Sequence, residues 1–301
     1  MNWAFVIPNY NGGRLLEKCL DGLPGHVCVV DDASTDNSLK ILGNALGHVR
    51  VIARKANGGF SAAVNDGIHA TESDLVVLLN TDVEVQPGFL DSVLPLFDDP
   101  DVFAVSPRII VPGLGNLDEG AKTGFWRHGM FYTDQRQGLS GVTPILYTSG
   151  CAAVYRRSML LELGGFDEVY SPFYWEDCDL GYRAWKRGWK SLYQPAGVVN
   201  HQHAASISKM NARYVSRVRA RNGLLFVWRN IDDPRLISRH KRWLPLVLSR
   251  RAAAGDLSFI NGWKDAYAHR KQAVQARLRD SRRRVMSDGE ILAQTCAGTD
   301  Q

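Results

Sequence analysis

Long apolar runs, paired cysteines and phosphate-loop glycines are all missing from this 301-residue chain, and each absence removes a class of protein. No stretch approaches the roughly 18 consecutive apolar residues that span a bilayer. The opening MNWAFVIPNYNGG has neither a basic start nor an apolar run of secretory-signal length, so a cytoplasmic location is expected. The five cysteines (Cys19, Cys28, Cys151, Cys178 and Cys296) are odd in number, scattered and never spaced CxxC. That pattern argues for reduced thiols and against a disulfide framework or a zinc site. The GxGxxG fingerprint is absent from the first turn, as is GxxxxGK followed by Ser or Thr, which argues against an NAD enzyme and a P-loop NTPase. Nothing resembles an RRM, a zinc finger or a basic zipper, so no nucleic-acid partner is expected.

What is present is a chain of 45% hydrophobic and 22% charged residues, enough for one large domain or a domain with an extension. Its net charge of +5 is unevenly spread. Residues 1–204 hold 16 Lys+Arg against 23 Asp+Glu, a net of −7, whereas residues 205–301 hold 20 against 8, a net of +12. Within that basic tail, RHKRWLPLVLSRRAAAG and RKQAVQARLRDSRRR set Arg and Lys beside Trp, Leu and Val. Such a pattern fits an amphipathic helix on an anionic membrane surface, and equally an ordinary solvated basic helix.

The first hundred residues alternate short apolar runs with helical stretches. WAFVIPNY, HVCVVDD, VRVIAR and DLVVLLN read as strands, the first closed by Pro8; GGRLLEKCLDGL, TDNSLKILGNAL and GFSAAVNDGIHA read as helices, the second capped by Ser34 or Asp36. Continuous apolar strands separated by helices predict a Rossmann-like, mostly parallel α/β sheet, with ligands beyond the carboxyl ends of its strands. Polar residues collect at those ends: Pro8, Asn9, Tyr10 and Asn11 at the first, Asp31 and Asp32 at the second, Asn57, Gly58 and Gly59 at the third, Asn80 and Asp82 at the fourth. A carboxylate such as Asp82 suits a hard divalent cation that also grips a diphosphate, although a turn cap explains a lone Asp equally well.

Further along, SPFYWEDCDLGYRAWKRG predicts a helix from near Trp175 to Gly188, with Glu176, Asp177 and Asp179 in its first turn and Arg183 four residues after Asp179. Phe173, Tyr174 and Trp175 are candidates for sugar stacking or for core packing. A strand at SLYQP is followed by His201 and His203. Residues 111–145, rich in glycine and polar side chains, read as a long excursion of the kind that carries specificity.

Six stretches in order, VIPNYNG, VVDDASTDNS, NGGFSAAVNDGI, LLNTDVEV, SGCAAVYRRSMLLELGGFDE and FYWEDCDLGYRAWKRGW, resemble glycosyltransferase family 2, in particular its bacterial rhamnosyltransferase-like branch. The resemblance spans about residues 3–230. It implies a GT-A fold, with residues 1–110 binding the nucleotide sugar, residues 111–230 the acceptor, and residues 231–301 a helical basic extension. It also implies transfer with inversion from a nucleoside-diphosphate sugar, dTDP-rhamnose or a UDP-hexose, with Mg²⁺ or Mn²⁺ on the diphosphate. The acceptor it suggests is a glycan or polyprenyl-linked sugar of bacterial surface polysaccharide.

By that resemblance Asp32 holds the donor base or ribose and the segment from Asn57 to Asn65 lines the nucleotide pocket. Asp82 holds the metal, helped by His201 with Ser206, and Asp177 is the general base with Glu176 as its orienting neighbour. Asn80, at the first position of the DxD motif, is not an anionic ligand here. The alternative classes are a nucleotidyltransferase, disfavoured by the lack of a triphosphate loop, and a non-catalytic sugar-nucleotide or membrane-associated protein.

Overall fold

The computed structural model describes residues 1–44, 49–202 and 210–296. The chain runs β1 (Trp3–Asn9), α1 (Gly13–Leu20), β2 (His26–Asp31), α2 (Ser38–Asn44), β3 (Val49–Ala53), α3 (Phe60–Ala70), β4 (Leu75–Leu79), β5 (Val83–Val85), α4 (Phe89–Val93) and β6 (Val102–Val111). It continues through β7 (Leu117–Asp118), β8 (Lys122–Arg127), β9 (Met130–Gln135), β10 (Thr143–Pro144), β11 (Ala152–Arg156), α5 (Arg157–Leu163), α6 (Glu176–Lys186) and β12 (Lys190–His201). Four helices close it: α7 (Ala212–Asn230), α8 (Pro234–Ala253), α9 (Leu257–Ser281) and α10 (Asp288–Thr295).

Ten of the strands form one sheet, ordered β10-β12-β6-β11-β4-β1-β2-β3, with β5 added beside β12 and β7 beside β6. The neighbours β1, β2, β3 and β4 pair in parallel, as their unbroken apolar runs require. Leu75 to Leu79 of β4 are all buried, between faces covered by helices. Pro8 does not close β1; it pairs with Val30 inside the strand. Beyond β4 the sheet turns antiparallel through β11, then returns to a parallel pairing of β6 with β12.

Residues 111–145 are not the loop their composition suggested. They contain the hairpin β8–β9, whose Trp126, Met130 and Phe131 are buried in the same apolar cluster as α6 and α7. Three aromatic or thioether side chains in six residues outweigh the glycines around them.

Nor is the tail a separate appendage. Gly262, Ala266 and Ala273 of α9 are buried, and a Cβ at Gly262 would fall 2.5 Å from the Arg217 carbonyl on α7, so small residues permit this close helix contact. On α10, Asp288 is buried and accepts from Tyr182 Oη at 2.6 Å and from the backbone amides of Asp232 and Asp233, with Lys186 Nζ at 2.6 Å. The helix α8, expected to lie on a membrane, turns Leu236, Ile237, Leu244 and Val247 onto this cluster. Its buried His240 donates from Nδ1 to the Gly129 carbonyl and accepts at Nε2 from Trp228, which fixes the neutral tautomer. The apolar side of α8 is therefore covered in part by protein, while Leu246 stays exposed. No helix among the described residues is long and apolar enough to cross a membrane.

Candidate active site

The first strand end is an organised polar rim. Asn9, at the end of β1, donates to Asp31 Oδ1 at 2.7 Å, and Asp31 Oδ2 accepts from the Ser34 amide. Asn11, held at φ 53°, accepts from the amides of Thr35 and Asp36, while Tyr10 stays exposed. Neither cap candidate directly precedes α2: Asn37 does, its carbonyl accepting from Ile41 N, while Asp36 accepts from the Ser38 amide and Ser34 bonds Asn9 and Asn11. Asp32 is buried with both oxygens engaged: Gly58 N donates to Oδ1 at 2.9 Å, Gly59 N to Oδ2 at 2.8 Å, and Arg54 Nε lies 3.1 Å from Oδ1. A donor base or ribose on Asp32 would share a carboxylate that already holds the β3–α3 loop.

Asn57 is exposed and donates to the Asp32 carbonyl, whereas Asn65 turns away from this rim. Its amide accepts from Phe166 N and donates to Phe166 O, both at 2.9 Å, pinning the Gly164–Gly165 turn. It lines a separate cavity of about 630 Å³ whose wall includes the ion-paired Arg183, Lys186, Arg229, Asp232 and Asp280. Asn65, expected to line the nucleotide pocket with Asn57, Gly58 and Gly59, is instead turned onto Phe166.

The second cluster lies where β4 gives way to β5. Asp82 is 6% exposed, and its Oδ2 has no hydrogen-bond partner. Its Oδ1 sits 3.4 Å from Nε2 of His201, whose Nδ1 is 3.5 Å from Glu119 Oε2. The pairing of His201 with Val83 in the β12–β5 ladder brings this histidine to Asp82 across more than a hundred residues. Burial alone would lower the imidazole's pKa, but hydrogen bonds to Asp82, Cys151 and Glu119 push it up to about 12. Sequence reasoning placed His201 after a strand; it is the last residue of a 12-residue one, extended past an irregularity between Gln194 and Val198. His203 and Ser206 lie outside the described residues. Glu119 was missed altogether, and no periodicity or motif in its segment marks it. Asn80 makes its contacts through the backbone, its amide donating to the Cys151 carbonyl at 2.8 Å.

The third cluster opens α6. Asp177 is half-buried; Oδ2 accepts from Gly150 N at 3.2 Å and Oδ1 from Cys178 N at 2.7 Å. Burial raises its pKa, and those two amides and the Lys122 charge offset part of the rise. Glu176 is more deeply buried, its Oε2 has no partner, and burial together with the adjacent Asp177 charge lifts its carboxyl well above the ordinary range. Burial thus favours the neutral form at both carboxyls, more strongly at Glu176. The Asp177 oxygens are held by the Gly150 and Cys178 amides and not by Glu176.

Asp179 pairs with Arg183 at 2.6 Å, as its spacing predicted, and also accepts from Tyr170 Oη and Asn230. Burial alone would raise its pKa, but the Arg183 and Arg229 charges bring it below the usual range. It is a structural anion. Of the three aromatic candidates, Phe173 is buried, Trp175 packs on Phe131 and Phe226, and Tyr174 stacks under Arg219.

Two consecutive residues join the second and third clusters. Gly150 gives its amide to Asp177, while the carbonyl of Cys151 takes the Asn80 amide and its thiol contacts His201. The nucleotide-side loop closes the same space, since Phe60 N donates to Pro172 O and a Cβ at Gly150 would lie 3.2 Å from the Phe60 ring. A buried carboxylate with a spare oxygen, a histidine and Asp177 thus surround one short segment, beyond the strand ends where open α/β sheets bind ligands.

This architecture is that of the GT-A glycosyltransferases. Over 94% of this chain and 89% of that one, it matches Staphylococcus aureus TarS in complex with UDP, with a TM-score of 0.58 at 17% identity. The glycosyl transferase family 2 model matches residues 4–164, and the chain belongs to that family. It is 31% identical over 244 residues to the N-acetylglucosaminyl-diphospho-decaprenol L-rhamnosyltransferase of Mycobacterium tuberculosis, covering 70% of this chain and 79% of that protein. The pre-mycofactocin glycosyltransferase of the same organism is 33% identical over 216 residues, 69% of this chain and 44% of the relative. The rhamnosyltransferase-like character and the GT-A fold expected from the motifs both hold.

Proposed function

We propose that the protein transfers a sugar, with inversion, from a nucleoside-diphosphate donor to a hydroxyl of a lipid-linked glycan acceptor. The observation that carries this is the Gly150–Cys151 link, which places the candidate base beside the Asp82–His201 pair. The rhamnosyltransferase among its relatives favours dTDP-rhamnose, with UDP-hexoses next, and a polyprenyl-diphosphate sugar as acceptor in bacterial surface polysaccharide synthesis.

The residues suit a divalent cation, Mg²⁺ or Mn²⁺, because a buried carboxylate oxygen with no protein partner is costly unless a ligand completes it. Asp82 would hold the ion with His201, whose imidazole would ligate in its neutral form. Among the described residues no cluster of three ligating side chains gathers there, so the donor diphosphate would supply the remaining oxygens. When bound, such an ion offsets the negative charge that develops on the leaving nucleotide.

The protein's own steps are simpler. The rim formed by Asn9, Asn11 and the loop from Asn57 to Gly59 receives the nucleotide. Asp177 takes the proton from the acceptor hydroxyl as that oxygen bonds to the anomeric carbon, and its raised pKa makes it a stronger base than an ordinary aspartate. The amides of Gly150 and Cys178 keep its carboxylate in place. One displacement suffices, with no covalent nucleophile.

Work at a cytoplasmic membrane face fits a polyprenyl acceptor. With much of the apolar side of α8 packed on protein, attachment would be chiefly through surface cations to anionic lipid, and would weaken as salt rises. The test is to incubate the protein with a panel of nucleotide sugars, Mn²⁺ and a polyprenyl-diphosphate sugar, following nucleotide release and the product's anomeric configuration. Acceptor-dependent release with inversion is expected; retention, or no release from any donor, would overturn the reading.

A further inference from the structure

We propose that Arg221, Asn222 and Gly223, consecutive on α7, form a template that aims Asp177 by holding the strained turn in front of α6. The inference rests on the reading of Asp177 as the acceptor-side base. Tyr174 and Trp175, the two residues directly before Glu176, stand at φ +70° and +78°. That region disfavours bulky L side chains, and no glycine or asparagine is present in the turn to relieve it. The conformation must therefore be imposed from outside, and strained backbone beside a candidate site is a sign of function.

The side-chain hydrogen bonds to the carbonyls of this turn come from one place on α7. Asn222 is fully buried, and its Nδ2 lies 2.7, 3.0 and 2.8 Å from the carbonyl oxygens of Tyr170, Phe173 and Tyr174, so its two hydrogens are shared among three acceptors. Arg221 Nε donates to Asn222 Oδ1 at 2.8 Å, which fixes which end of the amide meets the turn. The same guanidinium donates through Nη2 to Val169 O at 3.0 Å and to Ser171 O. Gly223 supplies space: a Cβ there would stand 3.0 Å from Cζ2 of the Trp175 indole.

The turn ends where α6 begins, so its shape decides whether Asp177 meets the Gly150 amide or falls short of it. A displacement of about 1 Å at a reacting group is enough to cost on the order of 10²-fold in rate. Arg221 and Asn222 are positioning residues; the turn they hold also meets the β3–α3 loop, where Ser171 Oγ donates to the Gly58 carbonyl and Pro172 O accepts from Phe60 N. Their effect falls chiefly on the transfer step, because the strained residues are the two directly before Glu176 and Asp177.

The test compares full-length Asn222→Ala, Gly223→Ala and Asp177→Asn with the unaltered protein, measuring kcat, acceptor KM and UDP or dTDP affinity by calorimetry. Asn222→Ala should lower kcat roughly 10²-fold and Gly223→Ala roughly tenfold, with nucleotide affinity held within about twofold. Unaltered kcat in a folded Asn222→Ala protein overturns the template. So does a Gly223→Ala protein, which adds only one methyl group, that loses nucleotide affinity in step with kcat, because the segment then serves the fold at large. If Asp177→Asn transfers at the unaltered rate, the base assignment itself has failed; if it is inactive while the α7 variants are not, the template alone has failed.

Discussion

Asp31 and Asp32 at the β2 end and Asp82 and Glu176 at the β4–α6 floor are all buried and differently used. Asp31 and Asp32 have every oxygen engaged by protein donors, Asn9, Ser34, Gly58, Gly59 and Arg54 among them. Asp82 and Glu176 each keep an oxygen with no partner, and Asp177 is held by two amides while remaining half-exposed. Burying an unsatisfied carboxylate is unfavourable, so a fold that does so twice in one cleft has left those atoms for something else. Asp31 and Asp32 hold the wall together, and Asp82 and Glu176 keep an oxygen open.

Four substitutions put that contrast under strain. Asp177→Asn preserves shape and removes the base; transfer should fall by about 10²–10⁴-fold with the melting temperature nearly unchanged. In the unaltered protein the raised pKa of Asp177 should set the acidic limb of the pH–rate profile above the range of an ordinary aspartate, with rate rising as the carboxyl ionises. A limb below pH 4 would contradict this assignment.

Asp179→Ala leaves Arg183 buried without its anion and should cost about 3–5 kcal/mol of stability, read by denaturant unfolding. The carboxyl of Asp179 is held below its ordinary value of 3.8, so its contribution is present above that pH and is lost as the protein is acidified. The variant's deficit should therefore shrink in acid. A deficit that grows in acid would remove Asp179 from the structural group.

Asp32→Asn should cost about 1–3 kcal/mol, because the new amide places N–H donors against those of Gly58 or Gly59 and leaves Arg54 with Asp66 as its remaining charge partner. Donor affinity should fall with stability as the loop loosens, and a fall in affinity with stability intact would move Asp32 from the wall to the ligand. Glu176→Gln should have the smallest effect, under about 1 kcal/mol, since the native site already favours the neutral acid. A group with a raised folded pKa stabilises below its unfolded value and loses that contribution as pH rises, so the Gln variant's relative stability should increase from pH 5 to pH 8. A relative stability that falls over that range would show Glu176 to be ionised in the fold.

The parallel half of the sheet was legible because β1, β2 and β4 are buried on both faces, which leaves continuous apolar runs in the sequence. Asp82 and the Glu176–Asp177 pair stood out for a related reason, as acids placed where such a run or a helix begins or ends. The hairpin β8–β9 was hidden because its buried Trp126, Met130 and Phe131 are interrupted by a His128–Gly129 turn and flanked by glycines. Glu119 meets His201, and Asn222 meets Tyr174, through contacts 82 and 48 residues apart, and a single sequence carries no mark of either. The basic tail was legible in part. Its hydrophobic pattern correctly signalled amphipathic helices, but periodicity cannot say whether an apolar stripe meets lipid or protein.

The contrast between satisfied and unsatisfied acids is tested most directly by calorimetric titration of Mn²⁺ into the UDP- or dTDP-saturated protein, unaltered and as Asp82→Asn. The substitution retains size and burial but removes the charge beside the partnerless oxygen. The account predicts metal affinity lowered by at least about 10-fold to 100-fold with an unchanged melting temperature. Equal Mn²⁺ affinity in the two proteins would contradict it.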